Sequence, residues 1–308
     1  IRAERHRQIV KLALDAIKQL LNDPSKEELF NEAVKQLMEA QLELALVDPN
    51  EVETLYENRD IICQQVPKSK AAAEAAFAVA RFAHTRARDF ARQEPRWLDE
   101  FSRQALSFAQ EFPTEEARSV SLLYAAGTSC ELHGKREEAM TCYNLLRELF
   151  PKSPQAQQIV AVLRRLQLAG KPVQLAGETL DGRYLSIDKF AGKPVIIVFW
   201  SSDNPQCQTL LPNLIEIADR YQKHGLSLIG VNLDDDQKTV EAYLNDRQWT
   251  WPQVFDSNES KRRWKHDVVK FYGVRNIPLV WLDDANGIVV DAQADTATLD
   301  EQIQSLLN

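Results

Sequence analysis

The distribution of glycine constrains the fold of this chain more than any other feature of its sequence. The first glycine is Gly127, and eight of the ten glycines lie from Gly170 onward. Glycine destabilises a helix relative to alanine, and the glycine-free stretch is rich in Ala, Leu, Glu, Arg and Gln, which all favour helices. Apolar residues also recur at helical spacing there, as at Ile9, Leu12 and Ala16. We therefore predict an all-α domain over residues 1–168.

The end of this helical half carries a weak internal repeat. Two predicted helices close on Glu111-Phe112-Pro113 and Leu149-Phe150-Pro151. The second copy resembles a tetratricopeptide repeat (TPR) at its small, aromatic and proline positions: Gly127, Cys130, Gly134, Ala139, Tyr143, Leu146 and Pro151. The resemblance implies an array of helical hairpins that presents a concave surface to a protein partner. A helical bundle that has only a structural role and presents no partner surface fits the same pattern equally well.

The pattern changes after the stretch 168–172, which we interpret as the linker. Short runs of β-forming residues then alternate with amphipathic segments, which is typical of an α/β domain. We predict strands at 194–200, 226–232, 278–283 and 287–292, and helices near 205–223, 237–247, 259–272 and 297–307. A hairpin is expected around Asp181-Gly182. The second domain is predicted to span residues 169–308.

Composition narrows the classes of function. The net charge is −8, and the dense basic cluster at 261–265 is too short to indicate nucleic-acid binding. No apolar run approaches the ~18 residues of a membrane span. The chain begins at Ile1 rather than Met, so we expect a processed or trimmed sequence.

The four cysteines give no metal or disulfide framework. Cys63, Cys130, Cys142 and Cys207 form neither a C-x-x-C pair nor a zinc-type quartet, so no metal or cofactor is expected. Whether Cys130 and Cys142 pair across a helical hairpin stays open. Asp234-Asp235-Asp236 follows a predicted strand and could hold a cation, although a solvated loop with a helix cap is the favoured interpretation.

The most informative local segment follows the strand at 194–200. It reads Ser201-Ser202-Asp203-Asn204-Pro205-Gln206-Cys207 and leads into a predicted helix. Asn is a good N-cap residue and Pro is favoured at the first helical position, so the helix should begin at Pro205. A dithiol enzyme would carry a thiol at the position of Asn204, because disulfide exchange needs an attacking thiolate and a second thiol that resolves the mixed disulfide.

Ordered landmarks identify what this half resembles. They are Thr179-Leu180-Asp181-Gly182, Gly192-Lys193-Pro194, Phe199-Trp200, Val231-Asn232-Leu233-Asp234, Trp251-Pro252, Phe255-Asp256, and Tyr272-Gly273 through Ile277-Pro278 to Leu282-Asp283. Together they resemble the TlpA-like and AhpC/TSA (redoxin) branch of the thioredoxin-like superfamily. The resemblance implies a thioredoxin-like fold, a cis Ile277–Pro278 bond beside the turn, and a groove that pairs with an extended peptide.

The chain departs from that family at its chemistry. The usual run is W-C-x-P-C-x-x-E-x-P, whereas here Asp203 replaces the Trp, Asn204 the attacking Cys and Leu210 the Glu. Cys207 and Asn204 are therefore the candidate catalytic positions, one as a single thiol and one as the lost nucleophile. The resemblance also implies six residues that contact a bound peptide: Trp200, Asp203, Pro205, Gln206, Ile277 and Pro278.

Two functions are consistent with these residues. The first is a peptide- or protein-binding scaffold with a degenerate active site and no dithiol chemistry. The alternative is a thiol oxidoreductase or peroxidase-like antioxidant that uses the single Cys207. The residues at positions 204 and 210 favour the scaffold. Asn204 cannot form the attacking thiolate, and Leu210 cannot accept or donate a proton. The resemblance further implies an exported bacterial protein of the cell envelope.

Overall fold

A computed structural model describes residues 2–21 and 23–307, and the chain divides into two compact units between Gln157 and Gln158. The first unit is helical, which confirms the predicted all-α architecture. Its helices are α1 (Arg2–Leu20), α2 (Glu27–Val47), α3 (Glu51–Gln65), α4 (Lys70–Phe90), α5 (Arg96–Glu111), α6 (Glu116–Leu132) and α7 (Arg136–Leu149), followed by α8 (Pro154–Leu166), which spans the division.

The helix boundaries follow from local chemistry. Ser69 has extended backbone angles and its hydroxyl accepts a hydrogen bond from the Ala72 N–H, so it caps α4. The alanine-rich face of α4 is buried, and the Phe82 ring of the same helix meets Trp97 edge to face at 5.6 Å between centroids. Small residues thus let α4 approach its neighbours closely, while the aromatic rings fill the remaining volume.

The second unit contains a five-stranded sheet with strand order β5-β4-β3-β6-β7. The strands are β3 (Val195–Trp200), β4 (Ser227–Asn232), β5 (Gln253–Val254), β6 (Leu279–Asp283) and β7 (Val289–Asp291). Strands β3, β4 and β5 run parallel, whereas β6 and β7 are antiparallel to their neighbours. Every residue of the central β3 is buried, as expected for a strand covered on both faces. The predicted α/β domain is confirmed.

Helices accompany this sheet. They are α9 (Pro205–Gln222), α10 (Gln237–Asp246), α11 (Asp267–Tyr272) and α12 (Thr296–Leu307). Because β3 and β4 run parallel, their carboxyl ends lie at the same edge of the sheet, and the turns that follow them come together there. Within the described residues, no helix is long and apolar enough to cross a membrane.

The N-terminal segment of this unit pairs with both outer strands of the sheet. A hairpin of β1 (Ala176–Glu178) and β2 (Tyr184–Ser186) lies beside β5, where the Leu180 N–H donates to the Gln253 carbonyl at 3.1 Å. At the other side, the Gly170 N–H donates to the Val289 carbonyl of β7 at 2.8 Å. The sheet is therefore extended at both sides by residues that precede its first strand.

The C-terminal part of α8 belongs to the second unit. A Cβ atom added to Gly273 would lie 2.7 Å from the Val162 backbone nitrogen, and the Arg164 guanidinium stacks over the Phe271 ring at 3.9 Å. The division of the chain thus falls inside α8. The domain boundary predicted after residue 168 stays a prediction.

The predicted helix at 259–272 is wrong over its first half. Residues 259–261 and 263–265 form two short 3₁₀ turns, and α11 begins only at Asp267. The Arg262 guanidinium donates to the backbone carbonyls of Asp256, Asp235 and Ser257 at 2.8–3.0 Å, and Arg263 has φ = +54°. Side-chain bonds to loop carbonyls and a left-handed residue both interrupt a helix.

Candidate functional site

The turn after β3 starts α9 through the side chain of Asn204. Its Oδ1 accepts hydrogen bonds from the backbone N–H groups of Gln206 at 2.8 Å and Cys207 at 3.0 Å. Pro205 occupies the first helical position. The expected N-cap is therefore confirmed: Asn204 satisfies two of the N–H groups that a helix start leaves unpaired.

The same side chain reaches the loop that precedes β6. The Ile277–Pro278 peptide bond is cis, as predicted, and Asn204 Nδ2 lies 3.4 Å from the Ile277 carbonyl oxygen. Pro205 and Gln206 are exposed beside this contact, and Ile277 is nearly buried. The structure thus brings Asn204 next to Ile277 and Pro278, although they are far apart in the sequence.

The thiol of Cys207 lies inside the domain. Its side chain is buried in the core, and burial raises the pKa of the thiol to about 11. The nearby carboxylates of Asp234 and Asp203 raise this pKa further, and a hydrogen bond from the Ser201 backbone lowers it. The thiol is therefore protonated and shielded near neutral pH, and only a thiolate attacks a disulfide.

An acidic loop after β4 braces the turn. The Asp234 carboxylate accepts hydrogen bonds from the Ser202 N–H at 2.9 Å, the Ser202 hydroxyl at 2.7 Å and Asn232 Nδ2 at 2.7 Å. Arg263 bridges the Asp203 carboxylate at 3.0 Å and the Asp235 carboxylate at 2.7 Å. The backbone of the turn is thus fixed by a buried carboxylate and by one arginine.

These bonds also use the carboxylates that could have held a cation. Asp236 caps α10 by accepting from the Thr239 N–H at 2.9 Å, so each carboxylate of the run Asp234-Asp235-Asp236 meets a protein donor. No cluster of three or more potential metal-ligating side chains occurs in the part of the chain that the structure describes. The helix-cap interpretation of this run holds for Asp236.

Sequence reasoning missed the parts that Asp234 and Arg263 play in the turn. Asp234 carries a usable signal, because residues that follow neighbouring parallel strands meet at one edge of a sheet. Arg263 carries none, since it lies in a basic stretch that reads as a solvated helix. His266, which immediately precedes α11, is buried, and its Nδ1 accepts from the Val268 N–H at 3.2 Å.

Trp200 lies beneath the turn rather than on its surface. The residue is fully buried, its Nε1 donates to Gln253 Oε1 at 2.9 Å, and its ring lies 5.9 Å from that of Trp251. Its predicted contact with a peptide, like those of Asp203, Pro205, Gln206, Ile277 and Pro278, stays a prediction. Leu210 packs against the core, where it cannot carry a proton.

The second unit combines a central sheet, a strand–turn–helix segment and a facing loop with a cis proline. This is the arrangement of a thioredoxin-like domain. Residues 169–292 match the family model of the AhpC/TSA family. Thiol-disulfide oxidoreductase ResA from Halalkalibacterium halodurans is 26% identical over 141 residues, which cover 46% of this chain and 75% of that protein. ResA from Geobacillus thermodenitrificans is 29% identical over 127 residues, covering 41% and 69%.

Solved structures give similar coverage. The thioredoxin domain of a thiol-disulfide oxidoreductase from Bacteroides vulgatus is 22% identical and covers 46% of this chain and 98% of its own, with a TM-score of 0.41. A secreted Mycobacterium tuberculosis disulfide oxidoreductase is 17% identical, covering 43% and 96%, with a TM-score of 0.36. The C-terminal half of the chain is therefore a thioredoxin-like domain that matches the AhpC/TSA family model over residues 169–292 and is similar in sequence to thiol-disulfide oxidoreductases.

Proposed function

We propose that the thioredoxin-like domain binds an extended peptide or a protein segment and does not carry out dithiol chemistry. One observation carries the proposal: Asn204 stands at the position of the attacking thiol, and the cysteine of the turn, Cys207, is buried. Disulfide exchange needs an accessible thiolate and a second thiol that resolves the mixed disulfide. The side chain at position 204 supplies an amide, and the Cys207 thiol is inaccessible.

The peptide would lie along the Ile277 backbone. The bond from Asn204 to the Ile277 carbonyl is long at 3.4 Å, and a carbonyl oxygen has two lone pairs, so a stronger donor from a peptide can be accommodated. Pro205 and Gln206 are exposed at the start of α9 on the adjacent side. Main-chain bonds would provide affinity and these side chains would provide contacts, as in other cases of strand addition.

The helical half would provide a second surface for a protein partner. A Cβ atom on Gly127 would lie 2.4 Å from the Tyr143 ring, so α6 and α7 approach closely where the TPR-like pattern places a small residue and an aromatic residue. Tandem hairpins of this kind expose a continuous face to a ligand. This close packing supports the scaffold interpretation of the helical half.

We also propose an exported, envelope-facing location for this chain. Its sequence relatives are thiol-disulfide oxidoreductases, and disulfides persist mainly in oxidising compartments outside the cytosol. The alternative of a single-thiol oxidoreductase or peroxidase is less well supported, because Cys207 would first have to become exposed.

Restoring the missing thiol tests the proposal. The wild-type protein should reduce insulin disulfides with a dithiol donor no faster than the uncatalysed reaction. The Asn204→Cys variant should form a reversible disulfide with Cys207 and gain reductase activity, because the new thiol lies at a helix N-terminus, which favours the thiolate. Loss of the cap should cost about 1 kcal/mol.

Two further variants make the outcome interpretable. Asn204→Ser keeps a capping oxygen without a thiol and should remain inactive. Asn204→Cys combined with Cys207→Ser should lose the disulfide, which mass spectrometry detects directly. Wild-type turnover that disappears in Cys207→Ser would overturn the proposal in favour of a working single thiol.

A further inference from the structure

A concave site lies on the hairpin side of the sheet, and the turn at 201–207 does not line it. It is an open cavity of about 440 Å³, between the β1–β2 hairpin, the end of α10 and the segment that enters β5. The Ile277–Pro278 bond does not line it either. Its volume falls within the range of about 300–1,000 Å³ that is usual for small-molecule sites.

The walls of the cavity are mainly apolar and partly aromatic. They include Leu180, Leu185, Phe190, Leu244, Trp249 and Trp251. Both indole rings are only partly buried, although tryptophan is a strongly buried residue type on average. Flat aromatic faces gain most from a flat partner that stacks on them or meets them edge to face.

The indole of Trp251 has no polar anchor. Its Nε1 is buried and has no hydrogen-bond partner among the residues that the structure describes. The ring is held by packing, including a 5.9 Å approach to the Trp200 ring. A side chain held by packing alone can adjust to a bound molecule without breaking a hydrogen bond.

The charged groups around the cavity are engaged within the protein. Arg183 pairs with the Asp181 carboxylate, and Lys189 Nζ donates to the Tyr184 carbonyl at 2.6 Å. The Glu241 carboxylate accepts from Gln237 at 2.8 Å. Two cations and two anions line the cavity, so their formal charges cancel. Because the lining has no net charge, a charged ligand would gain no overall attraction to offset its loss of hydration, whereas a neutral apolar ligand has little hydration to lose.

An adjoining cavity of about 430 Å³ shares the Trp249–Pro252 loop as a wall. Its other lining includes Lys193, Asp219, Gln222 and Ser227, so it is the more polar of the two. Because the first cavity has the more apolar lining, we take it as the ligand site.

Gln248, which immediately precedes the shared loop, has φ = +58°, a conformation that costs energy for a residue other than glycine.

We propose that the first cavity binds a neutral, flat, mostly apolar small molecule, which packs on the Trp249 and Trp251 rings and against the leucines of the hairpin and α10. None of the six proposed peptide-contact residues lines this cavity, although Trp200 packs against Trp251 behind its wall. Binding should therefore be the same in the wild-type protein and in Asn204→Ser.

The test uses the full chain with indole as the probe, and isothermal titration together with saturation-transfer NMR as the measurements. Indole should bind saturably, and indole-3-acetate, which adds a carboxylate to the same ring, should bind more weakly. Leu180→Trp fills the cavity from the hairpin side and should weaken indole binding at least about tenfold. Gln222→Trp places the same side chain in the adjoining cavity and should leave the affinity unchanged.

A second pair of variants keeps the test decisive if Leu180→Trp does not fold. Trp249→Ala removes a wall that both cavities share and should weaken indole binding about tenfold, and an unchanged affinity in Gln222→Trp assigns that loss to the first cavity. Trp264→Ala removes an exposed indole that lines neither cavity and should leave the affinity unchanged. The proposal is overturned by the absence of saturation, by equal losses in both members of a pair, or by a loss confined to Gln222→Trp.

Discussion

At the scale of single residues, Asp283 is the most unusual side chain in the second unit. It lies on β6 with no solvent exposure, and neither carboxylate oxygen has a hydrogen-bond partner among the described residues. Burial, with a smaller contribution from Asp284, raises the pKa of this carboxyl to about 7. An unpaired buried carboxylate is costly, so the folded protein favours the protonated form.

The raised pKa predicts a specific pH dependence of stability. Between pH 4 and 7 the folded state holds a proton that the unfolded state has released, so the free energy of unfolding should fall as the pH rises through this window. A shift of this size corresponds to a loss on the order of 4 kcal/mol. Asp283→Asn should remove the loss and be more stable than wild type at pH 8, but not at pH 4.

Urea unfolding at several pH values measures this effect. Asp246→Asn removes an exposed carboxylate of α10 and should follow the wild-type profile. Parallel profiles for wild type and Asp283→Asn would mean that Asp283 does not cause the pH dependence.

At the scale of elements, the sequence predicted those helices and strands whose boundaries are determined by residues close together in the chain. Strand β3 and the start of α9 follow from an apolar run, an Asn cap and a Pro, and all of these act within a few residues. The two-residue β5 is too short to leave a pattern. The bond from Arg263 to Asp203 joins residues 60 positions apart, so no local pattern contains it. The sequence therefore predicted the helix start but not the bracing of the turn.

The α6–α7 hairpin offers a test at the same scale. Gly127→Ala should destabilise the protein by about 1–2 kcal/mol, although alanine is the better helix former, because the new Cβ atom would lie 2.4 Å from the buried Tyr143 ring. Ser121→Ala, at an exposed position of α6, is the matched control and should change stability by less than about 0.5 kcal/mol. Chemical denaturation compares the two. A stabilised Gly127→Ala would show that the ring moves aside easily and that close approach is not required.

At the scale of the whole molecule, the position of α8 bears on where the chain can be divided. Val162 and Arg164 of α8 contact α11 and its C-cap through Gly273 and Phe271, all within the second unit. Cutting the chain at the predicted linker would therefore remove packing that the second unit uses.

This arrangement predicts a difference between two fragments. A fragment of residues 154–308 should fold and should melt at least about 4 °C higher than a fragment of residues 169–308, because one to two kcal/mol of packing shifts the midpoint of a domain of this size by that amount. Circular dichroism melting curves give the comparison, and Arg164→Ala in the longer fragment should lower its melting temperature and so remove part of the difference. Equal melting temperatures would support the boundary after residue 168.

The pairing at the two sides of the sheet has a consequence for self-association. Residues 170–180 bond to β7 on one side and to β5 on the other, and Lys189 donates to the carbonyl of Tyr184 on the outer strand of the hairpin. Open strand edges are the places where proteins add strands from other copies and begin to aggregate. Because this domain covers the edges of its main sheet with its own chain, it should tolerate crowded conditions without strand exchange. Loosening the hairpin should therefore promote aggregation before it causes global unfolding.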